Sequence, residues 1–272
     1  MSQPSANIIL VSPRNEILLV QRIKTSSAFP SAHVFPEGGG DLSSQDGPDP
    51  KRHDAIWYRR AALRELFEGS GILLARDTAS GAMLHVSDAK RGEGRRAIHA
   101  QKTTFAQWLK KQDSAAEPDT ENLIPFTRWV NPIGVPYRYT TQMYLYFLPM
   151  DNHDLKRDIL NMPREIHELT HDGGIEITDA RFLESSEWLR KAVKKEVKLL
   201  PPQYFLVDLM AQFLDTYTPK PSIRLSTQAT AEKTGYIRAL WIATLDADVY
   251  FAYNLEDSTR WAVVGGIGYP WP

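Results

Sequence analysis

Cysteine is absent from the 272-residue chain, which excludes disulfides, thiolate zinc sites, iron–sulfur clusters and a cysteine nucleophile. Long apolar runs are absent too. The most apolar stretch, Tyr204 to Leu214, carries Asp208 and Gln212 and is too short to span a bilayer. There is no excess of one charge: 32 Lys and Arg stand against 33 Asp and Glu. That balance argues against a general affinity for nucleic acid or for an anionic membrane. Residues 1–6 lack the basic-then-apolar order of a secretory signal, and the ending Gly268-Tyr269-Pro270-Trp271-Pro272 is no Ser-Lys-Leu peroxisomal address. These features lead us to expect a soluble, cytoplasmic protein. What is present, 42% hydrophobic residues, suffices for a proper core.

Short apolar runs at Ile8 to Val11 and Ile17 to Arg22 flank Ser12-Pro13-Arg14-Asn15, the pattern of a β-hairpin. A short strand follows at His33 to Phe35, and the glycines and prolines between Glu37 and Asp54 predict a loop. From Ala55 the period becomes helical, with Ala62, Leu63, Leu66 and Phe67 on one side and Gly69 and Gly71 at the end. A second helix is expected over Arg95 to Lys111, amphipathic through Ile98, Phe105, Trp108 and Leu109. Aromatic-rich strands are expected at Leu123 to Trp129 and Met143 to Leu148, and another strand at Ile175 to Leu183. Helices should cover Glu184 to Lys195 and Pro201 to Tyr217, the second opening on prolines that a first turn tolerates. The tail holds two β-like runs, Ile237 to Leu245 and Val249 to Tyr253. Interleaved strands and helices predict a mixed α/β sandwich.

The readable chemistry lies in Arg64-Glu65-Leu66-Phe67-Glu68-Gly69-Ser70-Gly71-Ile72. Glu65 and Glu68 are three apart on a helix, so their carboxylates leave one edge together. Two anions held close repel unless neutralised, and a hard divalent cation that prefers oxygen ligands does this well. Arg64 can pair with a carboxylate and set its direction. On spacing alone, the competing account is a solvated helix face.

Gly39-Gly40 before the loop, and Arg64-Glu65-Leu66-x-Glu68-x-x-Gly71-Ile72 after it, resemble the box of the Nudix hydrolases. The likeness extends to the eukaryotic branch that includes the peroxisomal coenzyme A diphosphatase. It runs through Ala32-His33-Val34-Phe35-Pro36, Gly71-Ile72-Leu73-Leu74, Trp129-Val130-x-Pro132 with Arg138, and Pro201-Pro202-Gln203-Tyr204. The resemblance implies a Nudix-type α/β/α sandwich with a mixed sheet over residues 1–218, and a short β extension over 219–272 packed on it. It also implies metal-assisted attack of water on phosphorus in a nucleoside-diphosphate-linked compound, coenzyme A-like in the narrowest version, with Mg²⁺ or Mn²⁺ as cofactor. Carried over by position, Glu65 is the water-activating base or a metal ligand, and Arg64 holds it. Glu68, the Gly40 carbonyl and Glu176 are metal ligands, and Arg22, His33 and Arg138 are substrate-binding. The partner implied is a small-molecule diphosphate, with no nucleic acid and no membrane. The C-terminal extension could cover a sheet edge or make a homodimer contact.

The pattern also breaks. Gly69 stands where the box has the second glutamate of its pair, and Glu37 interrupts the usual Phe-Pro-Gly-Gly junction. The branch commonly has an aspartate at the position of Thr140. Either Glu37, Asp41 or Asp46 supplies a replacement carboxylate, or the chain is a catalytically impaired relative that binds a phosphate ligand or does metal-independent chemistry. A further motif, His167-Glu168-Leu169-Thr170-His171, has the His-Glu-x-x-His spacing of zinc peptidases. Asp172-Gly173-Gly174 ends any helix directly after it, so a polar surface segment is the competing account. Trp57, Tyr58, Tyr137, Tyr139, Tyr144 and Tyr146 could stack a nucleobase, although aromatics alternating in strands are more often core. Lys191, Lys194, Lys195 and Lys198 form a basic helix face expected to be solvated.

Overall fold

The structure is a computed structural model that describes residues 3–26, 29–39, 54–130, 139–148 and 177–214, with the backbone of three strands between 248 and 270. The chain opens on the expected hairpin, β1 (Gln3–Val11) and β2 (Ile17–Arg22). Its turn is closed by Ser12 N–H donating to the Glu16 carbonyl at 2.8 Å, with Asn15 at φ 62°, a conformation asparagine tolerates. Then come β3 (Ala32–Val34), β4 (Glu37–Gly39), α1 (Ile56–Ser70) and β5 (Ala75–Asp77). Helices α2 (Asp88–His99) and α3 (Phe105–Gln112) lead to β6 (Ala116–Pro118), a short 3₁₀ turn, β7 (Ile124–Val130) and β8 (Tyr139–Phe147). The described chain continues through β9 (Ile177–Leu183), α4 (Ser185–Val193), β10 (Lys198–Leu199) and α5 (Pro201–Leu214). Strands β11 (Asp248–Tyr253), β12 (Arg260–Val264) and β13 (Ile267–Pro270) follow.

The main sheet runs β10-β3-β2-β1-β8-β7-β11-β12-β13, with β4 added to β1 and β9 to β2. It is mixed: β1 and β8, β3 and β10, and β7 and β11 are parallel, and the other pairs antiparallel. Strand β1 starts five residues before its apolar run because it pairs with β8 over its whole length, from Gln3↔Tyr139 to Val11↔Phe147. Side chains alternate across a strand. Ile8, Leu10 and Leu18 therefore pack with Tyr58, Ala62 and Leu66 of α1. Ile9, Val11, Ile17 and Leu19 pack on the other side with Trp188 of α4 and Leu206, Val207 and Met210 of α5. Covering both faces explains why β1 and β2 read as unbroken apolar runs. This is the expected α/β/α sandwich.

Two readings need correction. Within the expected loop Glu37 to Asp54, residues Glu37–Gly39 form a strand, in register Ser5↔Gly39, Ala6↔Gly38 and Asn7↔Glu37. The free edge of β1 supplies backbone partners, and this outweighs the poor strand propensity of glycine. The single helix expected over Arg95 to Lys111 is two, broken at residues 100–104. Thr104 restarts it with a capping box: its hydroxyl accepts from Gln107 N–H, and the Gln107 side chain accepts from Thr104 N–H. The small β5–β6 sheet was not foreseen, since three-residue strands carry no periodic signal. Val249 to Tyr253 falls within β11, while Ile237 to Leu245 lies outside the described residues. Among the described residues, no helix is long and apolar enough to cross a membrane.

Candidate active site on helix α1

Helix α1 is rich in strong helix formers but has no side-chain cap at Ala55. Its first turn is anchored from outside. The Arg59 guanidinium grips the Asp54 carboxylate with two bonds of 2.8 and 2.7 Å and donates to the Thr120 and Leu123 carbonyls. The Tyr144 hydroxyl donates to the same carboxylate at 2.9 Å. The far end closes on Gly71, whose φ of 79° is the left-handed conformation glycine adopts freely. Two arginines of α2 then hold the last carbonyls. Arg95, 1% exposed, donates to Glu68 O at 2.9 and 2.7 Å and to Gly69 O at 3.0 Å. Arg91 donates to Gly71 O at 3.0 Å. A guanidinium at the carbonyl end of a helix also opposes the negative pole of its dipole.

Between these anchors sit the expected residues. Arg64 Nη1 lies 2.7 Å from Glu65 Oε1 and 3.2 Å from Glu68 Oε1, and all three side chains are at least 85% buried. One guanidinium nitrogen thus joins both carboxylates, a charge-assisted arrangement quite unlike a solvated helix face. The Glu65 carboxyl reaches across to β4. A Cβ on Gly38 would fall 1.6 Å from Glu65 Cδ, so only glycine leaves that carboxylate its place. Pleat alternation then turns Glu37 to the opposite side. There its carboxylate accepts from Arg22 Nη1 and Asn7 Nδ2, each at 3.0 Å. Burial pushes the Glu37 carboxyl above its usual range, with Arg22 and Asn7 pulling it back. Glu37 is therefore engaged away from Glu65 and does not stand in for the carboxylate missing at position 69.

Gly69 itself is not required by packing. Among the described residues, a Cβ there would meet only Ile177 Cγ1, at 3.9 Å. Arg22, half-buried beside β4, also contacts the Ser26 hydroxyl. His33 is not brought to this side. Its ring lies 5.7 Å from that of Trp188, on the face covered by α4, and burial lowers its basicity, with Asp179 and Arg181 acting in opposite senses. Gly40, Arg138, Glu176, Asp41 and Asp46 lie outside the described residues, as does the His167–His171 motif.

Four of the six aromatics follow the core account, while Tyr139 is half-buried at the start of β8. Trp57, Tyr58, Tyr144 and Tyr146 are buried in the α1 layer. The Tyr146 hydroxyl donates to Asp119 Oδ2 at 2.6 Å, where Arg76 Nε also sits at 2.9 Å. Burial and these carboxylates raise the phenols of Tyr144 and Tyr146 well above their ordinary value. Neither is available to stack on a base. Tyr137 lies outside the described residues.

Among the described residues, no three Asp, Glu or His side chains converge into a set that could hold a metal. The two carboxylates of α1, in the space Gly38 leaves, are the hard oxygen donors that suit Mg²⁺ or Mn²⁺. Arg91, Arg95 and Gly38 escaped the sequence reading. The first two share a helical face with Ile98, and that charged pair in line with an apolar residue is the signal that could have marked them as buried.

No protein-family model matches the chain. A curated protein of Caenorhabditis elegans, "Putative nudix hydrolase 7", is 24% identical over 212 residues, covering 78% of this chain and 61% of that protein. The chain thus spans less than two thirds of that relative's length. A solved Nudix hydrolase from Alicyclobacillus acidocaldarius superposes with a TM-score of 0.61 at 19% identity, over 79% of this chain and 94% of that one. The chain has the Nudix fold, and its sequence resembles that of the Nudix hydrolases.

Proposed function

We propose that the chain is a divalent-metal-dependent hydrolase of a nucleoside-diphosphate-linked compound, coenzyme A-like in the narrowest version. The observation that carries this reading is the Glu65 carboxylate seated over Gly38 and tied through Arg64 to Glu68. Glu65, Glu68, the Gly40 carbonyl and Glu176 would hold Mg²⁺ or Mn²⁺, which when bound neutralises phosphate oxygens and acidifies water. Glu65 takes the proton of the attacking water or serves as one of those metal ligands. Arg64 pairs with that carboxylate and sets its direction. Arg138 clamps the diphosphate, a task suited to the planar guanidinium fork, and Arg22 joins it on releasing Glu37.

Gly69 favours a second reading, a catalytically impaired Nudix-fold protein that keeps the pocket to bind a phosphate ligand. Loss of even an outer-sphere partner of a metal typically costs about 10–100-fold in affinity or activity, and position 69 is a ligand position in the box. One experiment separates the two. Phosphate-coupled turnover is measured on coenzyme A, ADP-ribose and NADH with Mg²⁺ or Mn²⁺, for wild type, Glu65→Gln and Gly69→Glu. The hydrolase reading expects metal-dependent turnover that Glu65→Gln lowers by about 10²-fold or more. A silent wild type that Gly69→Glu awakens establishes the impaired relative. Because a Cβ at 69 meets Ile177 at an ordinary contact distance of 3.9 Å, that variant reports on chemistry rather than on packing.

A further inference from the structure

A cavity of about 370 Å³ opens on the other face of the sheet, where β3 and β10 meet the turn after α4. His33 forms one wall. It is 8% exposed, and its Nδ1 is buried with no hydrogen-bond partner among the described residues. A buried acceptor without a partner is tolerated better than a buried N–H without one. We therefore place the imidazole proton on Nε2. Gln21 lines it too. Its Oε1 accepts from the Thr178 hydroxyl at 3.3 Å, so its amide NH₂ remains to donate. Ser31 adds a hydroxyl, and Lys195 and Lys198 stand at the rim. Neither lysine pairs with a carboxylate among the described residues, and Glu196, which also lines the cavity, is taken by Lys191 at 3.0 Å.

These groups are held in place by the fold. The turn carrying Lys195, at φ 60°, is closed by the N–H groups of residues 194, 195 and 196 donating to Arg190, Ala192 and Lys191. That leaves those last carbonyls of α4 occupied. Lys198 is placed by β-pairing, since Lys198↔Ala32 and Leu199↔His33 are in register. The polar lining thus sets two cations and the donors of Gln21 and Ser31 around a buried imidazole, with one carboxylate, Glu196, already paired to Lys191. We infer that the cavity binds a phosphate group, whose several acceptor oxygens and negative charge match that lining. The volume leaves room for the first atoms of whatever carries the phosphate.

Isothermal titration of the full chain with inorganic phosphate, with EDTA present so that no metal recruits phosphate to α1, tests this. Wild type should show one saturable site. Lys198→Ala should weaken it about tenfold, the loss of one charge-assisted bond, and Lys195→Ala/Lys198→Ala should abolish it. Glu65→Gln should leave it unchanged. The lysines sit at a surface rim, so their replacement does not threaten folding, and His33→Phe is added with a circular-dichroism check. A parallel titration with AMP identifies the source: tighter binding than phosphate marks an ester, weaker binding a free ion. No saturable binding, binding that survives the double lysine variant, or binding lost with Glu65→Gln would overturn the assignment. The result is independent of turnover, so the hydrolase reading and this site can fail separately.

Discussion

From His33 to Gly38, one short stretch of chain serves both faces of the sheet with opposite chemistry. Toward α4 it presents His33, beside Lys195 and Lys198. Toward α1 it presents Gly38, whose missing side chain makes room for Glu65. The acidic side is gripped from two directions: Arg59, Asp54 and Tyr144 hold the start of α1, and Arg91 and Arg95 hold its end. The basic side rests on a tight turn and a two-residue strand. The difference teaches where precision is built in. Two carboxylates within reach of one guanidinium nitrogen need a rigid helix to keep them there, whereas lysines at a rim reach their target through flexible stems.

The largest effect on this contrast should come from Arg95→Met. It removes three hydrogen bonds from a buried cation and strands the Glu68 and Gly69 carbonyls, and we expect a loss of about 3 kcal/mol in urea unfolding. Phosphate binding near His33 should survive where the protein is folded. A stability change under about 0.5 kcal/mol, the scale of an ordinary surface substitution, would show that the clamp does not hold the helix. Next in size is Gly38→Ala. The added methyl overlaps the Glu65 carboxyl, and such overpacking typically costs about 1–3 kcal/mol. Any turnover that depends on Glu65 should fall with it, and full turnover in this variant would separate Glu65 from the chemistry.

The smallest effect is electrostatic and concerns the residue between the two faces. The Glu37 carboxyl is held above its ordinary value chiefly by burial, so the folded state binds its proton more tightly than the unfolded chain does. Its contribution is present at low pH and is lost as pH rises from the ordinary carboxylate range through the raised value. Glu37→Gln should flatten that decline in a pH series of thermal unfolding. Because the side chain is 26% exposed, the change should be only a few tenths of a kcal/mol. An unaltered pH profile would show that Arg22 and Asn7 fully offset the burial.

Much of this was legible beforehand where the signal is local. The hairpin, α1, the strands at β7 to β9 and the helices α4 and α5 follow from periodicity and breakers, and Arg64, Glu65 and Glu68 from their spacing. The short pieces were not. A strand of two glycines and a glutamate forms at Glu37–Gly39 only because β1 offers an edge, and the split between α2 and α3 rests on one capping box. Arg95 reads as surface by residue type and is buried by its partners.

By itself, then, the amino-acid order determined the longer helices and strands and put two glutamates and an arginine on one edge of α1, because these depend on contacts within a few residues. Tertiary structure alone decided that Gly38 lies beneath Glu65, that Glu37 turns to Arg22, and that His33 faces α4 rather than the carboxylates. Each of those outcomes depends on strand register, and shifting a strand by one residue exchanges its two faces.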